Sequence, residues 1–308
     1  MTKRILLFLV SFLSVGFISY FVFNSYIQAL IITFLINGLM ALSLNFITGV
    51  ANQFSLGSAG FMALGAYTSA ILTKEFFGAW YFIPCSALIA GSVAGLAGYL
   101  VSLPSFRLKG DYLAIVTLGF AEIVRVVFLN WDWVGGARGY NAITKWPAFY
   151  WAYLFTGLAT FISFFTLLNL KKSWFGRNLW AINEDEIAAE VMGTPVAKTK
   201  RTAFLISSFF GGLGGAMYSH HLGYISPGSF GFLMTVNILI ITVLGGLGSM
   251  SGTLISAALL TALPELLRSL PTGGVDLRMI IFPILLILIM ILRPQGLLGR
   301  LEIGEKSK

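Results

Sequence analysis

The chain has 308 residues, of which 57% are hydrophobic and only 10% are charged. Soluble globular chains carry about 25% charged residues, so the composition excludes an ordinary soluble domain and predicts an all-α polytopic membrane protein. The net charge of +8 does not indicate nucleic-acid binding, because the basic residues are spread between apolar runs. Cys85 is the only cysteine, which excludes a disulfide framework and a cysteine metal site.

Apolar segments long enough to cross a bilayer follow one another along the chain, and we predict about ten of them. They lie near residues 5–23, 26–47, 55–73, 80–103, 111–130, 149–170, 202–219, 230–248, 250–267 and 278–293. The first resembles a signal peptide, but no small-residue cleavage site follows it, so a retained helix is predicted. The glycine-rich third and eighth segments either cross fully or form half-helices or re-entrant segments.

The basic residues that lie outside the spans predict the orientation. With the N-terminus in the cytoplasm, fourteen of them lie inside and five outside, as the positive-inside rule requires. Both termini and the polar interval at 176–201 are then predicted to lie on the cytoplasmic side. The membrane is predicted to be the plasma (inner) membrane of a bacterium or archaeon.

A seven-residue string occurs twice. Residues 55–61, SLGSAGF, and 226–232, SPGSFGF, share five identities. The first opens the third span from the cytoplasm and the second opens the eighth from outside, which predicts an inverted repeat of spans 2–5 and 7–10. The predicted organisation is a single transmembrane domain: an accessory helix (1–25), a first repeat (26–130), a connecting span (131–175), a cytoplasmic loop (176–201), a second repeat (202–293) and a tail (294–308).

The cytoplasmic loop contains a predicted short helix. Asn183 suits the N-cap, Glu186 completes a capping-box pattern, and Gly193 suits the C′ position before Pro195. A narrow apolar face is formed by small residues between them. Two interpretations remain open, a docking element and a solvated loop helix. The residues assigned to docking are Asn183, Glu186, Ile187, Ala188, Ala189, Val191 and Gly193.

The glycine strings at 211–215 and 245–252 are typical of close helix packing, because no Gly-Lys-Ser/Thr follows them and nothing nearby reads as a Rossmann unit. His220 and His221 are adjacent, with no carboxylate or cysteine at ligand spacing, so metal binding is not predicted. No catalytic arrangement is recognisable, and we expect the chain to have no ATPase or cofactor site of its own.

Polar residues inside spans are costly unless they pair or meet water. Glu122 and Arg125, three residues apart, are predicted to form an ion pair, with a substrate role as the alternative. Polar residues where the second span meets the third, together with one amide in the eighth, are candidates for the translocation path; interhelical hydrogen bonding is the alternative for each. These candidates are Asn45, Asn52, Gln53, Ser55, Ser58 and Asn237.

Four separated strings resemble the permease subunits of branched-chain amino-acid ABC importers. They are NFITGVANQFSLGSAGFMALGAY at 45–67, LKGDYLAIVTLGFAEIVR at 108–125, GRNLWAINEDEIAAEVMG at 176–193 and LRPQGLLG at 292–299. The last fits the second of the two paired permeases better than the first. Permeases for urea, amides and other small amino acids share these strings. The strings therefore predict the mechanism more specifically than they predict the substrate.

The resemblance implies a sister permease, two cytoplasmic ATPase subunits that hold ATP and Mg, and an extracytoplasmic substrate-binding protein. It also implies that the short helix is the coupling helix, since Ala188, Ala189 and Gly193 match the Ala-Ala-x3-Gly core of that motif. Ile187 stands where many importers have glutamate, so a salt bridge from that position does not carry over. The rival is an ion-driven secondary transporter, which needs intramembrane carboxylates, and Glu122 is the only acidic residue well inside a predicted span.

Overall fold

The computed structural model describes residues 24–105, 111–268, 295–299 and 302. Most of this part is helical, and its isolated antiparallel bridge joins Tyr140 to Ile225. The predicted all-α polytopic fold is confirmed. The predicted spans at 5–23 and 278–293 lie outside the described residues.

Each of the eight spans predicted between residues 26 and 267 coincides with a helix. The helices are α1 (Ser25–Asn45), α2 (Ser58–Ile71), α3 (Ile83–Ser105), α4 (Asp111–Leu129), α5 (Phe149–Lys172), α6 (Trp174–Glu184), α7 (Glu186–Val191), α8 (Val196–Leu222), α9 (Phe232–Gly245) and α10 (Met250–Arg268). Of these, α6 and α7 lie in the predicted cytoplasmic loop.

By length and hydropathy, four segments of the described chain are long and apolar enough to cross a membrane: Ser25–Val50, Trp80–Leu103, Asp111–Leu129 and Phe149–Lys172. By contrast, α9 has only 14 residues, and α2 has 14 before it continues as a π-helix over Leu72–Phe77. A helix of 14 residues is about 21 Å long, less than the ~30 Å of the hydrocarbon core. The eighth predicted span therefore contains a short helix, and the third contains an α-helix that ends in a π-helical segment.

Glycines let α8 pack closely against α1, α2 and α3. A Cβ on Gly212 would lie 2.5 Å from the Ala94 Cβ of α3, and one on Gly215 would lie 2.0 Å from the Met62 carbonyl oxygen of α2. On the facing helix, a Cβ on Gly65 would lie 2.0 Å from the Gly212 carbonyl oxygen. The predicted packing role of the string at 211–215 is confirmed.

The two copies of the repeated string share one local hydrogen bond, although a 3-10 helix at Pro227–Phe230 precedes the α-helix only in the second copy. Ser55 Oγ accepts a hydrogen bond from the Gly57 N–H at 3.3 Å, and Ser226 Oγ accepts one from the Gly228 N–H at 3.3 Å. Each copy leads into a 14-residue helix. These observations support the inverted repeat, which stays a prediction because its last span lies outside the described residues.

Candidate functional site

The loop predicted to be cytoplasmic folds into two helices, and the residue that caps the second differs from the prediction. Asn183 lies inside α6, and Asp185 caps α7 with extended backbone angles. Its Oδ1 accepts hydrogen bonds from the N–H groups of Ile187 at 2.9 Å and Ala188 at 3.1 Å. Glu186 is thus the first residue of α7, too early to close a capping box, and it pairs with Lys200 Nζ at 2.9 Å.

The end of α7 agrees with the prediction. Gly193 has φ +86°, in the left-handed region. The Gly193 N–H donates to the Glu190 carbonyl at 2.9 Å, and the Thr194 N–H donates to the Ala189 carbonyl at 3.0 Å. These two bonds form a Schellman motif with Gly193 at C′. The cap at one end and this motif at the other stabilise a helix of only 6 residues.

One side of α7 is apolar and points away from the rest of the chain. Ile187 is 74% exposed, Val191 81% and Met192 84%, and Ala188 is also exposed. Ala189 does not belong to this surface, because it is buried against Ile182 and Val196. We call Ile187, Val191 and Met192 the apolar face of α7.

Asn45, at the end of α1, contacts the connection between α9 and α10. Its side-chain amide donates to the carbonyls of Gly246 and Ser249 and to the Thr253 hydroxyl, and its oxygen accepts from the Gly248 N–H at 2.7 Å. The side chain is fully buried. In this conformation Asn45 therefore forms hydrogen bonds between helices, which is the alternative to a role in the translocation path.

The other candidates for the translocation path, except Asn237, lie in or beside the non-helical segment 51–57. Gln53 and Ser55 are buried, whereas Asn52 is exposed with φ +51°. Ser58 is the first residue of α2, and its hydroxyl is buried. Asn237 is exposed on α9. The assignment of these residues to a translocation path stays a prediction.

Two further groups of polar residues occur along the helices. Arg125 Nε donates to Glu122 Oε2 at 2.7 Å, so the predicted ion pair is present.

His220 is buried, with Nδ1 at 2.7 Å from the Thr144 carbonyl and Nε2 at 2.8 Å from Ser69 Oγ. The carbonyl only accepts, which assigns the proton to Nδ1. Both histidine nitrogens thus bind within the chain, and the described residues contain no cluster that could hold a metal.

Sequence reasoning missed one buried ion pair. Glu302, in the tail, lies 2.7 Å from Lys171 Nζ at the end of α5. Its carboxylate also accepts from the backbone N–H groups of Met250 at 2.9 Å and Ser251 at 3.0 Å, and from the Ser251 hydroxyl at 2.7 Å. Burial by itself raises the pKa of Glu302, but the bonds to Lys171, Met250 and Ser251 outweigh it and hold the pKa below its usual value. No spacing in the sequence links residue 302 to residue 171.

The fold and these sites define a polytopic membrane transport subunit. Helices that follow non-helical segments inside a bundle of long apolar helices are typical of transporters, and a capped helix with an exposed apolar face suits attachment to another protein. The model of the family described as "Branched-chain amino acid transport system / permease component" matches residues 26–290, so the chain belongs to that family.

Curated relatives agree with this family. The high-affinity branched-chain amino acid transport system permease protein LivM of Escherichia coli K12 is 37% identical, over 84% of this chain and 67% of that protein. The probable LivM of Methanocaldococcus jannaschii is 26% identical, over 90% and 84%. LivH of Escherichia coli K12 is 23% identical, over 87% and 92%. No solved structure matches the chain significantly. The chain is therefore a permease subunit of the ABC importer type.

Proposed function

We propose that this chain forms one half of an ATP-driven path that imports branched-chain amino acids across the inner membrane, with both termini in the cytoplasm. A sister permease forms the other half, since relatives of two kinds, LivM and LivH, match the same chain. ATP and Mg are held by two ATPase subunits, and an extracytoplasmic binding protein delivers the amino acid. The resemblance implies these partners, and the chain itself carries no recognisable nucleotide motif.

The apolar face of α7 is the observation that carries this proposal. Exposing three apolar side chains to water is unfavourable, by roughly 1.5–3 kcal/mol for each large side chain that burial would remove from water. The helix that presents them is stabilised at both ends and packed on α6 and α8 through Ala189. A rigid helix with an exposed apolar face suits a groove on the ATPase subunit, where ATP-driven movement would be transmitted to the permease.

The experiment compares two substitutions at one exposed position. Val191→Asp places a charge in the apolar face, whereas Val191→Ala keeps the surface apolar. Because Val191 is 81% exposed, neither change disturbs the packing of the permease, and both proteins should reach the membrane in normal amounts. We expect Val191→Asp to abolish leucine uptake and to uncouple ATPase activity from loaded binding protein, and Val191→Ala to keep most of both. Normal uptake by Val191→Asp would rule out α7 as the coupling element.

Ala189→Trp, a natural choice from the sequence, does not test docking. Ala189 is 5% exposed and packs against Ile182 and Val196. A tryptophan there would disrupt the attachment of α7 to its own chain, so a loss of uptake would not distinguish docking from folding.

A further inference from the structure

The short helices α2 and α9 both begin near the middle of the bundle. A Cβ on Gly60, in the first turn of α2, would lie 2.8 Å from the Ala121 Cα, and Ala121 is near the middle of the 19-residue helix α4. Because α4 is one of the segments long and apolar enough to cross a membrane, α2 begins about halfway through the bilayer.

The N-terminus of α9 meets that of α2 at this level. The Ala59 N–H, in the first turn of α2, donates to Thr235 Oγ1 in the first turn of α9 at 3.3 Å. The N-terminus of a helix carries a partial positive charge of roughly half an elementary charge, from aligned peptide dipoles and unpaired N–H groups. Two such ends at one place make a region of positive potential.

A hydroxyl at the same place lacks a hydrogen-bond partner. Ser58, the first residue of α2, is 6% exposed, and its Oγ has no partner within the described part of the chain. Buried hydroxyls are nearly always paired, because an unpaired one loses its hydration without compensation. A ligand that lies beside the helix N-termini and accepts a hydrogen bond would give the Ser58 hydroxyl a partner.

The start of α9 is accessible from outside the chain. Phe232 is 48% exposed and Leu233 77%, and Phe54 in the non-helical segment 51–57 is 41% exposed. Non-helical backbone at membrane depth is tolerated only where it is covered by protein or lines a water-filled cavity. This face therefore borders the sister permease or a water-filled path between the two chains, from which a solute can reach the helix ends.

We propose that the N-termini of α2 and α9, together with the Ser58 hydroxyl, form the subsite that binds the carboxylate of the amino acid halfway across the membrane. This subsite rests on the proposed function, and it identifies the carboxylate as the group of the substrate that the path recognises. The carboxylate would accept hydrogen bonds from the Ser58 hydroxyl and from N–H groups at the two helix ends other than those of Ala59, Gly60 and Phe61, which donate to Thr235 and Gly57. Backbone dipoles supply the positive potential, so no additional basic side chain is required.

The test uses the whole importer in proteoliposomes with saturating leucine-loaded binding protein. Ser58→Ala removes the hydroxyl, and Ser58→Thr keeps it. The matched control is Ser163→Ala, because Ser163 is buried but its hydroxyl donates to the Ala159 carbonyl of its own helix at 2.6 Å. We expect Ser58→Ala to lower turnover about tenfold or more, as for loss of a hydrogen bond to a charged group, with unchanged half-saturation by loaded binding protein. Ser58→Thr and Ser163→Ala should keep most of the turnover.

Two further readouts separate a ligand site from a structural role. Since the Ser58 hydroxyl has no partner among the described residues, Ser58→Ala should leave the melting temperature of the complex unchanged or raise it, whereas a structural hydroxyl would lower it. Leucine, isoleucine and valine share the carboxylate, so their turnover should fall by the same factor. Normal turnover of Ser58→Ala, a lowered melting temperature, or unequal factors would overturn the subsite. A wild-type complex that does not transport leucine would instead overturn the proposed function.

Discussion

Lys171 Nζ and Glu302 Oε1 lie 2.7 Å apart, and their side chains are only 9% and 4% exposed. The pair joins the end of α5 to the tail, and the same carboxylate binds the first N–H groups of α10. Because α6 starts at Trp174, shortly after Lys171, this ion pair attaches the base of the loop that contains α6 and α7 to α10. Lys171 is therefore unsuitable as an inert surface control in studies of that loop.

Glu302→Gln should destabilise the permease strongly. Removing one partner of a buried ion pair leaves the other charge uncompensated, at a cost of about 3–5 kcal/mol. Thermal unfolding of the purified protein measures this loss. In the double variant Lys171→Met, Glu302→Gln no unpaired charge remains, so its loss should be smaller than the sum of the two single losses. Additive losses would show that the two residues do not interact.

The contribution of Glu302 should also depend on pH. The pKa of its carboxyl is lower in the folded protein than its usual value, so the contribution is fully present above the unfolded pKa and is lost as pH falls through the folded pKa. The difference in melting temperature between the wild type and Glu302→Gln should be largest near neutral pH. It should shrink below pH of about 4. A difference that stays constant across this range would contradict the prediction.

Two glycine-to-alanine substitutions should have opposite outcomes. A Cβ on Gly65 would lie 2.0 Å from the Gly212 carbonyl oxygen, so Gly65→Ala forces α2 and α8 apart and should cost about 1–3 kcal/mol or more. Gly119 in α4 has no atom within 4 Å of such a Cβ in this chain. Gly119→Ala should therefore be neutral or stabilise the isolated chain by up to about 1 kcal/mol. Equal melting temperatures for the two variants would argue against the close contact of α2 and α8.

Exchanging Glu122 and Arg125 should distinguish an ion pair from a proton carrier. Glu122→Gln leaves Arg125 without its partner at 2.7 Å, so we expect reduced stability or assembly. Glu122→Arg combined with Arg125→Glu restores a pair at the same spacing and should recover part of the loss. Normal assembly of Glu122→Gln with no transport, together with uptake that an uncoupler inhibits at constant ATP, would favour the secondary transporter instead.

Cysteine labelling should locate the two ends of the bundle. In a Cys85→Ser background, Lys198→Cys should react only with a reagent on the cytoplasmic side and Ala137→Cys only with one outside. Both positions are exposed. Gly139 is a poor choice, because it has φ +79° and its Cβ would lie 2.6 Å from the Ile225 carbonyl oxygen. Reaction of both cysteines from one side would contradict the ten-span orientation and the inverted repeat.

The sequence alone was sufficient for the features that depend on local composition. Apolar runs of bilayer length predict where α1, α3, α4 and α5 lie, since a chain in lipid satisfies its backbone by forming helices. The ion pair of Glu122 and Arg125 follows from a spacing of three residues on one helix. Gly193 was predictable as a helix end, because a left-handed C′ position favours glycine.

Only the tertiary structure decided the contacts between residues that are far apart in sequence. Asn183 and Asp185 are both good caps, and the extent of α6 determines which of them caps α7. Helical periodicity does not predict that Ala189 is buried or that Val191 is exposed. The reason is that a six-residue helix has no preferred face until α6 and α8 pack on it. The convergence of Ala59 with Thr235 and of Lys171 with Glu302 depends on how the helices pack, which no pattern within a single segment encodes.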